Sequence, residues 1–126
     1  MLTTAPVISL LPITDKDAAR AFYSEVLGLE FVADDGFALV YRSGDRWLRL
    51  TPVHGPFAPQ PFSVIGWEVS DIVTTVRGLK ERGVAFLRYP MFEQDEDDVW
   101  RAPHDGTGVA WFNDPDGNLL SVVEPS

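Results

Sequence analysis

The sequence predicts an α+β fold built from two copies of one βαβββ-type unit, and three observations carry that expectation. The 126 residues suit one compact domain with one shared core. Short strand-like apolar runs surround two stretches of helical apolar period. The second half then repeats the order of the first at a nearly constant offset.

The first unit opens with Val7 to Ile13, an apolar run broken by Pro12, and ends in Thr14 and Asp15, both good helix N-caps. Ala19, Phe22, Tyr23, Val26 and Leu27 follow at the spacing of one helix face, and Gly28 supplies the stop. Three further strands are expected at Leu29 to Ala33, Phe37 to Arg42 and Trp47 to Thr51. The turns between them are Asp34-Asp35-Gly36 and Ser43-Gly44-Asp45. In the second half, Phe62 to Val69 reads as a strand, and Ser70-Asp71 caps a helix whose Ile72, Val76 and Leu79 share a face before Gly83. Asp15 recurs as Asp71, and Gly28-Leu29-Glu30-Phe31 as Gly83-Val84-Ala85-Phe86, so the register survives a whole helix. Val109 to Asn113 and Leu119 to Val123 close the second copy. The modules are thus expected at about 1-52 and 62-126, joined by a stiff Pro-rich linker at about 52-61.

The second copy is longer by about 16 residues, which fall between Arg88 and Thr107. They combine a carboxylate run, Glu93 and Asp95 to Asp98, with Tyr89, Met91, Phe92 and Trp100. A long loop is expected, and long loops inside compact domains often cover a pocket. The run lacks the glycine and closing glutamate of a calcium loop.

Composition removes several function classes. The chain has no Cys, which excludes disulfides, thiolate metal sites and a cysteine nucleophile. The formal charge of -9 opposes binding to a phosphate backbone, so no nucleic-acid partner is expected. The same field favours a cationic ligand. Met1 to Leu11 carries no basic segment before its apolar run, and no stretch approaches the roughly 18 apolar residues that span a bilayer. A cytoplasmic location with no membrane partner is expected. His54 and His104 both fall in loops, where a solvated imidazole is the ordinary condition. No serine-nucleophile motif, phosphate-cradling loop or dinucleotide fingerprint is present.

Two segments, Phe22-Tyr23-Ser24-Glu25-Val26-Leu27-Gly28-Leu29 and Asp114-Pro115-Asp116-Gly117-Asn118, carry a resemblance. With the two half-repeats, the chain resembles the vicinal oxygen chelate superfamily of glyoxalases, extradiol dioxygenases and bleomycin-resistance proteins. The resemblance implies two tandem βαβββ modules forming a curled mixed sheet around a cup, with the helices outside. Strand alternation assigns Ile65, Trp67 and Val69 to the helix-covered face. Val64, Gly66 and Glu68 then face the cup, with Ile8, Leu10, Trp47, Arg49, Val109, Trp111, Leu119 and Ser121.

Metal-dependent members place one ligand on the first and last strand of each module. Carried over, these positions fall on Ile8, Arg49, Val64 and Ser121, a set with neither imidazole nor carboxylate. No metal and no other cofactor is therefore expected. The favoured reading is a metal-independent small-molecule binding protein resembling the bleomycin-resistance branch, with an aromatic or cationic amphiphilic ligand in the cup. Its contacts are expected from Ile8, Trp47, Arg49, Val64, Glu68, Trp100, Trp111 and Ser121. The alternative is a metal-free lyase or isomerase with Glu68 as general base and Arg49 steadying a developing anion. A glyoxalase-like or dioxygenase-like metalloenzyme comes third. A homodimer is expected, because curled sheets in so short a chain leave edges to cover.

Overall fold

Two aspartates fix where the helices begin. Asp15 Oδ1 accepts from the backbone N–H groups of Asp17 and Ala18. Asp71 Oδ1 accepts from the backbone N–H of Thr74, and its Oδ2 from the Thr74 hydroxyl. Each carboxylate satisfies donors that the first helical turn leaves without intrahelical partners. The structure is a computed structural model that describes residues 1–126. It divides into two units, Met1–Ala58 and Pro59–Ser126, and each has the order β, α, β, β, β.

In the first unit, β1 (Ser9–Ile13) leads into α1 (Lys16–Arg20), which continues as a π-helical turn over Ala21–Val26. Strands β2 (Glu30–Asp34), β3 (Leu39–Ser43) and β4 (Arg46–Pro52) complete an open mixed sheet of order β1-β4-β3-β2. β1 runs parallel to β4, and the other pairs are antiparallel. Pro12 sits inside β1, which is tolerated because β1 is the edge strand of this sheet. The core is Leu11, Ile13, Ala19, Tyr23, Leu39, Tyr41, Leu48 and Leu50, each buried.

The widened turn departs from the regular helix that the apolar spacing predicts. The Tyr41 hydroxyl donates to the Arg20 carbonyl at 3.4 Å and lies 2.7 Å from the Ser24 hydroxyl. Leu27 N–H bonds instead to the Phe22 carbonyl, one residue further back than in an α-helix. A buried phenol thus finds its partners inside the helix it packs against, as a buried Tyr hydroxyl must.

In the second unit, β5 (Ile65–Glu68) leads into α2 (Ile72–Glu81), followed by β6 (Trp100–Arg101), β7 (Gly108–Asn113) and β8 (Leu119–Glu124). The order is β5-β8-β7-β6, with β5 parallel to β8. Helix α2 packs Ile72 and Val76 over β7 and β8, where Ala110, Phe112, Leu120 and Val122 are buried. Glu124 reaches back to tie sheet to helix, accepting from the Ile72 backbone N–H on one oxygen and from Arg101 on the other.

The extra residues interrupt the second strand of this unit. Phe86 makes one antiparallel bridge to Phe112, the chain then leaves the sheet, and it returns as β6 with Trp100 opposite Val109. The long loop expected between Arg88 and Thr107 therefore contains a short strand. In the first unit the corresponding strand carries only a bulge between Phe31 and Ala33, the mildest form of the same interruption.

The Asp114-Pro115-Asp116-Gly117-Asn118 segment proves to be the turn from β7 to β8. Asp114 Oδ1 accepts from the backbone N–H groups of Asp116 and Asn118, and Oδ2 accepts from the Asn118 side-chain amide, each at 2.9 Å. Gly117 adopts φ of 84°, which a residue with a Cβ rarely does. Asp114 and Asn118 are buried, so these groups have little access to water as a substitute. Asp114→Ala is expected to lower the unfolding free energy by about 2–4 kcal/mol. Urea denaturation of the two proteins checks this.

Candidate functional site

Each sheet has one face under its helix, and the strand registers identify the residues of the opposite face. In the second unit, Gly66 lies opposite Ser121 and Ser121 opposite Trp111, while Glu68 lies opposite Val123 and Val123 opposite Val109. Trp100 extends this row from β6. Partners in register share a face. Gly66 is needed for a close approach, because a Cβ there would come within 2.8 Å of the Ser121 hydroxyl. That hydroxyl lies 2.8 Å from the Ser63 hydroxyl and is thereby satisfied although Ser121 is buried.

The inserted segment builds an aromatic cluster on this face. Phe92 lies parallel to Trp111, with ring centroids 5.2 Å apart and planes 7° from parallel. Tyr89 meets Trp111 edge-on at 5.4 Å, and Trp100 tilts against Phe92 at 4.8 Å. These are favourable aromatic arrangements, and all four residues remain partly exposed. Trp100 also lines an open groove of about 570 Å³ with Met91, Val99 and Pro103.

The base of the segment is fixed. Gln94 is buried, and its amide nitrogen donates to the carbonyls of Leu87 and Asp98 while its oxygen accepts from the Tyr89 backbone N–H. The carboxylate run then faces helix α2 and the start of the segment. Arg77 donates to both oxygens of Asp97, and Lys80 pairs with Asp98 at 2.8 Å. Arg88 binds Asp98 as well, and it also donates to the carbonyls of Gln94 and Asp95. Burial of Asp98 raises its carboxyl, but the hydrogen bonds from Lys80 and Arg88 outweigh it and hold the group below its ordinary value. Asp95 Oδ1 accepts from the backbone N–H groups of Asp97 and Val99. The run is a clamp, and no group of three or more His, Asp or Glu side chains is placed to hold a metal ion.

In the first unit, Leu10 lies opposite Arg49 and Arg49 opposite Val40. Trp47 is two register pairs away on the same face, against Arg42, whose guanidinium stacks over the Trp47 ring at 4.7 Å. Ile8 is half exposed just before β1. Arg49 donates to Asp35 Oδ2 at 2.7 Å, a carboxylate in the β2–β3 turn. That bond, followed by the backbone N–H groups of Phe37 and Ala38, lowers the Asp35 carboxyl to about 2.

The four positions that would hold a metal in a metal-dependent relative offer a poor donor set. Ile8 and Val64 are apolar, Arg49 is a cation already bound to Asp35, and the Ser121 hydroxyl is engaged with Ser63. A hard divalent cation needs imidazole nitrogens or carboxylate oxygens, and none is supplied there. Glu68 stands exposed at the end of β5.

Of the residues expected to touch ligand, Trp100 and Trp111 are brought together, and Glu68, Trp111 and Ser121 share the sheet face away from the helix, where Glu68 is exposed, Trp111 partly exposed and Ser121 buried. Val64 immediately precedes β5, its N–H bonded to the Leu119 carbonyl. Ile8, Trp47 and Arg49 belong to the first unit. Sequence reasoning placed Tyr89 and Phe92 in the loop without assigning them contacts, and it missed Gln94 and Asp35. The spacing of aromatics within the insert was the available signal for the first two. Nothing local marks Gln94 or Asp35, whose roles arise from partners at a distance along the chain.

Asp35 supplies a pH test. Its folded carboxyl lies below the unfolded value near 3.8, so this contribution to stability is present above about pH 4 and is lost as pH falls through about 2. Carbon-detected NMR titration is expected to place the Asp35 midpoint near 2 in the wild-type protein and closer to 3.8 in Arg49→Ala.

The family model described as the Glyoxalase/Bleomycin resistance protein/Dioxygenase superfamily matches residues 6–122. A glyoxalase family protein from Enterococcus faecalis superposes with a TM-score of 0.78 at 18% identity, covering 98% of this chain and 100% of that one. TnmS3, an antibiotic binding protein from Streptomyces sp. CB03234, gives 0.71 at 25% identity, covering 98% and 99%. A lactoylglutathione lyase from Agrobacterium tumefaciens gives 0.69 at 25% identity, covering 96% and 93%. Comparison with curated protein sequences yields no significant match. With nearly its whole length matched and its modules in the same fold, the chain belongs to the glyoxalase/bleomycin resistance protein/dioxygenase superfamily.

Proposed function

We propose that this chain is a metal-independent small-molecule binding protein for a flat aromatic ligand, preferably a cationic one. The observation that carries the reading is the aromatic cluster on the open face of the second sheet, where Trp100 and Trp111 are partly exposed beside a clamped segment. Aromatic walls with a few polar groups suit ligand recognition. Val64, Glu68 and Ser121 are the proposed neighbours of that ligand in the second unit. Ile8, Trp47 and Arg49 are the proposed contacts of the first unit's own open face. The net charge of -9 raises the local concentration of a cation. TnmS3, a structural relative, is an antibiotic binding protein, which agrees with a binding role.

The lyase or isomerase alternative gains nothing specific, since Arg49 already serves Asp35 and Glu68 is exposed. No helix is long and apolar enough to cross a membrane, and the cytoplasm is the proposed location. A homodimer is also proposed, because Ile8 and Leu10 are 51% and 61% exposed at edge strand β1.

Titration with proflavine, a flat tricyclic cation, followed by tryptophan fluorescence quenching, tests the reading. Saturable binding is expected, unchanged by EDTA, and weakened by Trp111→Ala about 10-fold or more, which is about 1.4 kcal/mol. Binding that needs added metal, or turnover of the ligand, would sink it. Light scattering at micromolar concentration is expected to give twice the chain mass, and a monomer would remove the dimer.

A further inference from the structure

The parallel contact between Phe92 and Trp111 is the geometry a flat ligand would adopt on that indole. At 5.2 Å between centroids and 7° between planes, the two rings leave no room for a third between them. A ligand that stacks on this face of Trp111 must therefore take the place of Phe92. We infer that Phe92 is a built-in occupant of the stacking site, and that a flat aromatic ligand binds by exchanging with it while the base of the inserted segment stays in place. This rests on the ligand-binding reading proposed above.

The segment's own bonds divide it into a fixed base and a free tip. Tyr89 is pinned through its backbone N–H to Gln94, and Gln94 is pinned through its side chain to Leu87 and Asp98. Val99 is buried in the core, and Asp97 and Asp98 are tied to Arg77, Lys80 and Arg88. Between these anchors lie Pro90, Met91, Phe92 and Glu93. Their one backbone bond is from Phe92 N–H to the Tyr89 carbonyl, and Met91 is 72% exposed. Releasing the tip breaks one backbone bond and the ring contacts of Phe92 with Tyr89, Trp100 and Trp111, and it leaves the hydrogen bonds and ion pairs of the base intact.

The exchange also predicts what the site selects. Phe92 is tilted against Trp100 as well as stacked on Trp111, with Tyr89 edge-on to the same indole. A ligand of at least two fused flat rings covers both indoles and outcompetes a single phenyl ring. A saturated ligand of equal size does not, because it loses the parallel stack.

When an occupant fills a site most of the time, apparent affinity falls by the fraction of molecules in which the site is free. Removing the occupant restores it. Proflavine binding is therefore expected to tighten on the order of 10-fold in Phe92→Ala, as for a site free in about one molecule in ten. Phe92→Leu, which keeps apolar bulk at the tip without a flat ring, is expected to fall between. Fluorine NMR of protein carrying 4-fluorophenylalanine, with the Phe92 signal assigned by its loss in Phe92→Leu, is expected to show that signal moving on saturation. Proflavine binding with equal or weaker affinity in Phe92→Ala, or an unmoved Phe92 signal at saturation, overturns the exchange alone. Binding by none of the three proteins overturns the ligand-binding reading and the exchange with it.

Discussion

A single helix can cover only one face of a four-stranded sheet, and each unit of this protein has just one helix to offer. Strand alternation sends Leu48, Leu50 and Tyr41, or Leu120, Val122 and Phe112, toward that helix. The intervening residues must then face the other way. Arg49 and Trp111 stand where they do because their neighbours along the strand are core residues. The candidate binding face is thus the unavoidable counterpart of the core, and its character is set by what the alternate positions carry.

The two units resolve that constraint differently. In the first, the open face is held by charge, with Arg49 on Asp35 and Arg42 over Trp47. In the second, an insertion at the interrupted strand folds back and lays Phe92 on Trp111. Its acidic residues answer cations on helix α2 and at Arg88, so a run that looks like a ligand cluster is spent on positioning. Surface ion pairs contribute little one at a time, but Asp97 and Asp98 are shielded by the segment and act alongside the buried Gln94 amide.

The family-like segments turn out to be architectural. Asp114 and Asn118 close the β7–β8 turn on themselves, and Ser24 completes the bonding of the buried Tyr41 hydroxyl. Such segments identify a fold without identifying a reaction, because function depends on groups grafted onto the open face. Here the positions matched by resemblance to the metal ligands of some relatives hold Ile8, Arg49, Val64 and Ser121, none of which offers an imidazole or a carboxylate.

The sequence by itself determined the two-unit α+β plan, helix starts at Thr14-Asp15 and Ser70-Asp71 and the insertion in the second unit, and resemblance to the superfamily added the matched positions that lack metal-ligand side chains. Each of these is written in local pattern: a capping residue, an apolar period, a repeat offset, a residue type at a matched position. Tertiary structure alone decided that Asp35 is the partner of Arg49, that Gln94 is the staple of the insert, and that Phe92 lies flat on Trp111. It also decided that one turn of the first helix widens to meet Tyr41. These depend on which residues meet after the strands pair and the insert folds back, and a contact between distant positions leaves no periodic trace in the chain that makes it.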